Sequence, residues 1–156
     1  MDTINEKLNE IDDSMFVFGT LFVVANKLDT LLGRELAPFG MTSKQWLLSV
    51  VIDSLFDEPP TIMQAAKEMG SSHQNLKQVA LKLGRKGMLS LDKDSEDLRA
   101  TRLRLTEKAY DFWDGMQRKG DEFLKAVFEG IDSEELNAAR RLLQGVLSNL
   151  ARLENR

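Results

Sequence analysis

Residues 61–105 read TIMQAAKEMGSSHQNLKQVALKLGRKGMLSLDKDSEDLRATRLRL. Thr61 and Gln64 stand at capping-box spacing, where the hydroxyl accepts the amide of the third residue and that residue's side chain reaches back. Ile62, Ala65, Ala66 and Met69 then recur at helical spacing, which predicts a short helix through about Glu68. Gly70 suits the turn, because glycine takes positive φ at no steric cost. Ser71 and Ser72 offer the next N-cap. Leu76, Val79, Ala80 and Leu83 form one apolar stripe of a second helix. After Gly84 and Gly87 the period changes to two. Residues 88–91 and 101–105 alternate apolar and polar side chains, as two short antiparallel strands do, around a polar loop at 92–100.

Helix, tight turn, helix and hairpin is the order of a winged helix-turn-helix. Such a unit lays its second helix in the DNA major groove, with the N-terminal residues of that helix touching base edges. The face of the second helix opposite the apolar stripe carries His73, Gln74, Asn75, Lys77, Gln78 and Lys82. Asn and Gln pair bidentately with adenine and Lys reaches guanine or phosphate, each good base contact discriminating by about 1–3 kcal/mol. The free N–H groups at the helix start also suit a phosphate. The hairpin adds Lys93, Arg99, Arg102 and Arg104. Arg99 stands at the loop end, where it fits a minor groove, and Asp97 is placed to orient it by a charge-assisted hydrogen bond. Arg85 and Lys86 continue the basic run toward phosphates, which position a protein on DNA without reading sequence.

Outside this core the chain reads as helix. Met15, Phe18, Phe22, Ala25, Leu28 and Leu32 space out a long helix from about Asp12 to Leu36, ended by Pro38 and Gly40. Thr42 and Gln45 form another capping-box pair before a helix bearing Trp46, Leu47, Val50, Val51 and Leu55, which stops before Pro59 and Pro60. Thr106 caps a long helix that ends at Gly130. Ser133 is the expected N-cap of a last helix, with Glu134 and Glu135 in its first turn. The expected fold is mainly α with a small β-hairpin wing. One domain spans 1–156, with a winged helix-turn-helix lobe at 41–108 and long helices at 8–37 and 109–156.

Composition narrows the function. The 156 residues carry 21 Lys and Arg against 25 Asp and Glu, a net charge of -4, which speaks against nucleic acid when taken as an average. The charge is unevenly placed. Residues 1–66 balance at -6, residues 67–108 at +4 and residues 109–156 at -2. The basic excess falls on the second helix and wing. With no Cys, disulfides, thiolate catalysis and thiol redox sensing are excluded. With one His, neither a His-based metal site nor a Ser-His-Asp triad has material, and no metal or cofactor is expected. The longest apolar stretch, 15–25, is broken by Gly19 and Thr20, so no membrane-spanning helix is expected. The N-terminus lacks the basic segment of a signal peptide, and the cytoplasm is the expected compartment.

Segments 40–46, 69–76, 83–89 and 94–108 together resemble the MarR family of transcriptional regulators. The most specific of them runs from Asp97-Leu98-Arg99-Ala100 in the wing into Leu105-Thr106-Glu107-Lys108. The resemblance covers nearly the whole chain. It implies that the first and last helices of two chains interlock as a homodimer. It also implies that Ser72 caps the recognition helix, that Asn75, Lys77 and Gln78 face the groove, and that Arg99 works in the minor groove. Three positions depart from the pattern. Leu98 stands where a basic residue is frequent, Ala109 where Gly is common, and Gly84 should weaken the recognition helix near its end.

The sequence therefore points to a dimeric regulator, most simply a repressor, that binds a pseudo-palindromic double-stranded DNA operator and is released by a small aromatic or amphipathic ligand. Phe16, Phe22, Trp46, Tyr110 and Trp113 are the candidate ligand contacts, although aromatics at helical spacing more often form plain core. The Lys and Arg residues between 77 and 104 have a blander reading as a solvated face. The rival function is a winged-helix protein-interaction module without specific DNA binding, which would carry an apolar patch on the second helix. A small helical enzyme lacks a nucleophile–base pair.

Overall fold

The computed structural model describes residues 11–155; residues 8–10 of the expected first long helix lie outside them. The chain divides into two compact units, one running to Asp111 and one from Phe112.

The first unit begins with α1, Asp13–Leu36, capped by Asp12, whose carboxylate accepts the Ser14 N–H at 3.1 Å. A 3-10 turn, Ala37–Phe39, and Gly40 at φ 68° end it. Leu36 is the one buried residue of α1, while Met15, Phe18 and Phe22 are each more than 60% exposed. Asp13–Phe39 is long and apolar enough, by length and composition, to cross a membrane. Gly19 and Thr20, from which no span was expected, break the apolar run without lowering its average below that measure, which the core helix of a soluble protein also meets. A helix apolar on most of its surface has such a composition whether lipid or protein covers it.

The lobe that follows holds the core. It comprises α2 (Ser43–Leu55), α3 (Ile62–Glu68), α4 (His73–Arg85) and the antiparallel hairpin of β1 (Leu89–Lys93) and β2 (Thr101–Leu105). Both expected capping boxes form. Thr42 Oγ1 accepts the Gln45 N–H and Thr61 Oγ1 the Gln64 N–H, each at 3.2 Å, and the two glutamines return bonds to the threonine amides. Leu48, Leu76, Leu83, Leu103 and Pro60 are the largest fully buried side chains, and they come from α2, α4, β2 and the loop before α3. The amphipathic stripe of α4 is what meets the hairpin and α3.

The hairpin pairs Leu89 with Leu105 and Leu91 with Leu103, so the apolar side chains share one face. β1 runs to Lys93, two residues past the alternation at 88–91, because Asp92 and Lys93 find partners in Arg102 and Thr101. Met88 is buried ahead of the strand, and its carbonyl accepts the Thr106 N–H at 3.2 Å. One pairing was not legible in the sequence. The Leu103 N–H donates to the Pro60 carbonyl at 2.8 Å, and Thr61 bridges Arg102. Two prolines lack N–H donors and read as a break, yet their carbonyls receive the hairpin.

α5 (Glu107–Val127) starts in the first unit, capped by Thr106, and continues into the second. α6 (Ser133–Glu154) begins one residue earlier than expected. Asp132 is its N-cap, accepting the Glu135 N–H at 2.8 Å while Glu135 accepts the Asp132 N–H at 3.0 Å. A carboxylate there competes well with a serine hydroxyl, since it also meets the positive end of the helix dipole. In the second unit Phe112 and Trp113 meet edge to face at 4.7 Å. No residue of α6 is buried, and Leu142, Leu147, Leu150 and Leu153 stand exposed.

Gly70 joins α3 to α4 at φ 59°, with nothing within 4 Å of where a Cβ would stand. Its requirement is purely conformational. Gly70→Ala is expected to cost about 1–2 kcal/mol through the left-handed backbone alone, lowering the thermal midpoint by several degrees in a calorimetric scan.

Candidate nucleic-acid interface

Ser72 caps α4, its Oγ accepting the Asn75 N–H at 3.2 Å. With Leu76, Ala80 and Leu83 buried, helical periodicity places the rest of the helix outward. Ser72, His73, Gln74, Asn75, Lys77, Gln78 and Lys82 are all exposed. Every residue singled out on this helix thus lies on accessible surface. Gly84, expected only to weaken the helix, has a packing reason: a Cβ there would lie 2.7 Å from Leu91 Cδ1. That place is taken by the end of the Leu91 side chain, which would have to move for a Cβ to enter.

Lys86 departs from its expected phosphate role. Its ammonium turns inward to the Gly40 carbonyl and to Gln45 Oε1 at 3.0 Å, with Met41 Sδ at 3.7 Å. Gln45 is buried, so this ammonium closes the cap of α2 from the end of α4. Lys108 in turn donates to the Lys86 carbonyl at 2.7 Å. Arg85 remains exposed.

The wing is organised by Asp94, a residue of the polar loop that is buried to 7% exposure. Its Oδ1 accepts the Glu96 and Asp97 amides, each at 2.8 Å, and its Oδ2 pairs with Arg102 Nε. Arg102 Nη1 also donates to the Pro59 carbonyl at 2.9 Å. Arg102 is therefore tied into the base of the wing on two sides. Asp97 is engaged differently from expectation as well. Its Oδ1 accepts the backbone N–H of Arg99 at 3.0 Å, so it orders the turn beneath Arg99 rather than the guanidinium. Lys93 and Arg99 are exposed on the hairpin. A carboxylate followed by residues whose amides it can accept is the usual Asx-turn pattern, and Asp94-Ser95-Glu96-Asp97 carried that signal. The amide of Asp97, the Arg102 guanidinium and the amide of Glu96 hold the Asp94 carboxyl down at about 2.

The five aromatics expected as ligand contacts are spread over both units, four in the first and Trp113 in the second. Phe16, Phe22, Trp46 and Tyr110 are exposed, and the Tyr110 hydroxyl donates to Asp53 Oδ1 at 3.2 Å. Burial and the neighbouring Asp53 carboxylate push the Tyr110 hydroxyl pKa upward. Trp113, in the second unit, keeps a buried indole N–H without an acceptor. An open groove of about 400 Å³ on α1, lined by Asn26, Lys27, Thr30, Leu31 and Arg34, includes none of the five.

No protein-family model matches the sequence. Solved structures do match. A MarR/EmrR-family regulator from Acinetobacter sp. ADP1 superposes with a TM-score of 0.77 at 19% identity, covering 91% of this chain and 99% of that one. The transcriptional regulator PA3341 gives 0.72 at 26% identity, over 89% and 99%. MepR from S. aureus, solved in complex with DNA, gives 0.70 at 19% identity, over 85% and 97%. The chain has the fold of the MarR-family transcriptional regulators. The winged-helix order with its two-stranded hairpin, expected from residues 61–105, is the observed one.

Because the Asp94 carboxyl titrates below its ordinary value, its contribution to wing order is complete above about pH 4 and is lost as pH falls toward about 2. The amide resonances of Glu96 and Asp97, followed by NMR, should shift across that interval. In Asp94→Asn the acid-dependent shift should vanish, and the Arg102 guanidinium should lose its anionic partner at every pH.

Proposed function

We propose that the chain is a MarR-family regulator of transcription that binds double-stranded DNA as a homodimer in the cytoplasm. The observation that carries this reading is α4, whose exposed face bears Gln74, Asn75, Lys77, Gln78 and Lys82, with Lys93 and Arg99 exposed on the hairpin that follows. That residue set suits base edges and phosphates. It does not suit the rival protein-interaction module, which would need an apolar patch on this helix. The MepR neighbour, a MarR-fold protein solved with DNA, supports the same reading. The regulators from Acinetobacter sp. ADP1 and PA3341, which share the fold, are described as transcriptional regulators, and among the described residues no group of three or more metal-ligating side chains assembles.

A second copy of the chain is the natural cover for the apolar residues of α1 and α6. Met15, Phe18, Phe22, Leu147, Leu150 and Leu153 are too numerous to be left in water by a soluble monomer. Two recognition helices then fall on successive major grooves when they stand about 34–36 Å apart, on one face of a pseudo-palindrome. We read the protein as a repressor relieved by a small aromatic or amphipathic ligand. Trp113 supports a ligand role best of the five aromatics, because its buried indole N–H has no acceptor of its own. Such a ligand shifts the DNA-binding state by no more than its difference in affinity for the two states.

The test is a selection of bound duplexes from a random-sequence library, followed by fluorescence anisotropy at several salt concentrations. Specific, salt-sensitive binding by a dimer is expected, and its absence overturns the reading. Arg99→Ala should weaken binding across all sequences and flatten the salt dependence by about one unit of slope, whereas Asn75→Ala or Gln78→Ala should relax choice at one or two base pairs. Sedimentation equilibrium should give twice the chain mass. Phe18→Glu or Leu147→Glu should shift it toward the monomer and weaken DNA binding with it.

A further inference from the structure

We infer that Leu98, at the tip of the wing, is a specificity-determining residue that makes an apolar contact in the DNA minor groove and favours base steps that open readily. The inference rests on the DNA-binding reading and adds to it a source of sequence choice that uses neither a hydrogen bond nor a charge.

Leu98 is 73% exposed, the most exposed large apolar side chain among the described residues. Its backbone is nevertheless held. The amide just before it, on Asp97, is bound by Asp94, and the amide just after it, on Arg99, is bound by Asp97 at 3.0 Å. The Ala100 N–H closes the turn on the Asp97 carbonyl at 2.9 Å. The turn thus presents Leu98 on a fixed backbone, yet the side chain adds nothing to the core that would explain its being apolar.

The electrostatics of the tip point the same way. Arg102 is engaged by Asp94 and Pro59, so Arg99 is the cation that the tip offers, and Glu96 and Asp97 stand exposed in the same loop. One cation accompanied by two acids draws weakly on phosphates. What the tip adds beyond Arg99 is therefore an apolar surface of leucine size. Apolar side chains in a minor groove act by partial unstacking of base steps, which costs least at pyrimidine–purine steps. The preference then comes from how easily the DNA deforms at that step.

The full-length protein and a duplex selected from a random library give the test. Leu98→Ala should lose about five- to tenfold in affinity, a loss of the size of one disfavoured base pair. The salt slope should stay as in the parent, in contrast to Arg99→Ala. Selection with Leu98→Ala should return sequences with no preference at the steps under the wing. A 2-aminopurine placed at such a step should brighten on binding the parent and not on binding Leu98→Ala, because the probe reports unstacking. The thermal midpoint of Leu98→Ala should match the parent, since the side chain is outside the core. Parental affinity and parental step preference in Leu98→Ala would overturn the inference while leaving the DNA-binding reading intact. An affinity loss equal on all sequences would overturn the specificity role. If the parent itself selects no sequence, the DNA-binding reading fails and this inference with it.

Discussion

The phase of one helix governs the rest. Leu76, Ala80 and Leu83 lie on a single stripe of α4 and are fully or nearly fully buried. Burying large aliphatic side chains contributes roughly 1.5–3 kcal/mol each, so rotation of the helix about its axis is strongly resisted. Once that stripe is inside, the positions between its members are outside. Asn75, Lys77, Gln78 and Lys82 are thus exposed because of what the core requires of their neighbours. The constraint reaches Gly84, where a Cβ would require the end of the Leu91 side chain to shift. Core packing and the candidate reading face are two sides of one periodicity.

This explains why so much was legible before any coordinates. Capping boxes at Thr42 and Thr61, the Ser72 cap, the Gly70 turn and the alternation at 101–105 are local signals, each set by a few adjacent residues. What escaped involved partners far apart in the chain. Pro59 and Pro60 look like a break, and only their carbonyls, meeting Arg102 and Leu103, turn the segment into a support for the hairpin. Lys86 looks like one more surface cation, and only the return of Gly40 and Gln45 to its side makes it internal. Long basic side chains are poorly located by sequence because their stems reach in several directions. Arg102 is the same case, an expected DNA contact whose guanidinium also meets Asp94 and the Pro59 carbonyl. At Asp132 the miss was local, a choice between two adjacent capping residues.

The uneven charge takes on a physical sense with the fold in view. The basic excess of residues 67–108 includes cations with internal partners, Lys86 and Arg102 among them. The outward basic face is therefore smaller than the count suggested. A modest set of exposed cations on an acidic chain lowers affinity for DNA at large. It leaves a larger share of the discrimination to base-edge and shape contacts.

The turn held by Asp94 has a thermodynamic consequence. Ordering a free loop costs about 1–2 kcal/mol per residue in backbone entropy. In residues 94–100 the hydrogen bonds to Asp94 and Asp97 are made when the chain folds. A partner that meets the wing therefore meets a rigid object. Its association releases water and counterions without first having to freeze the loop, so encounters need not wait on a conformational search.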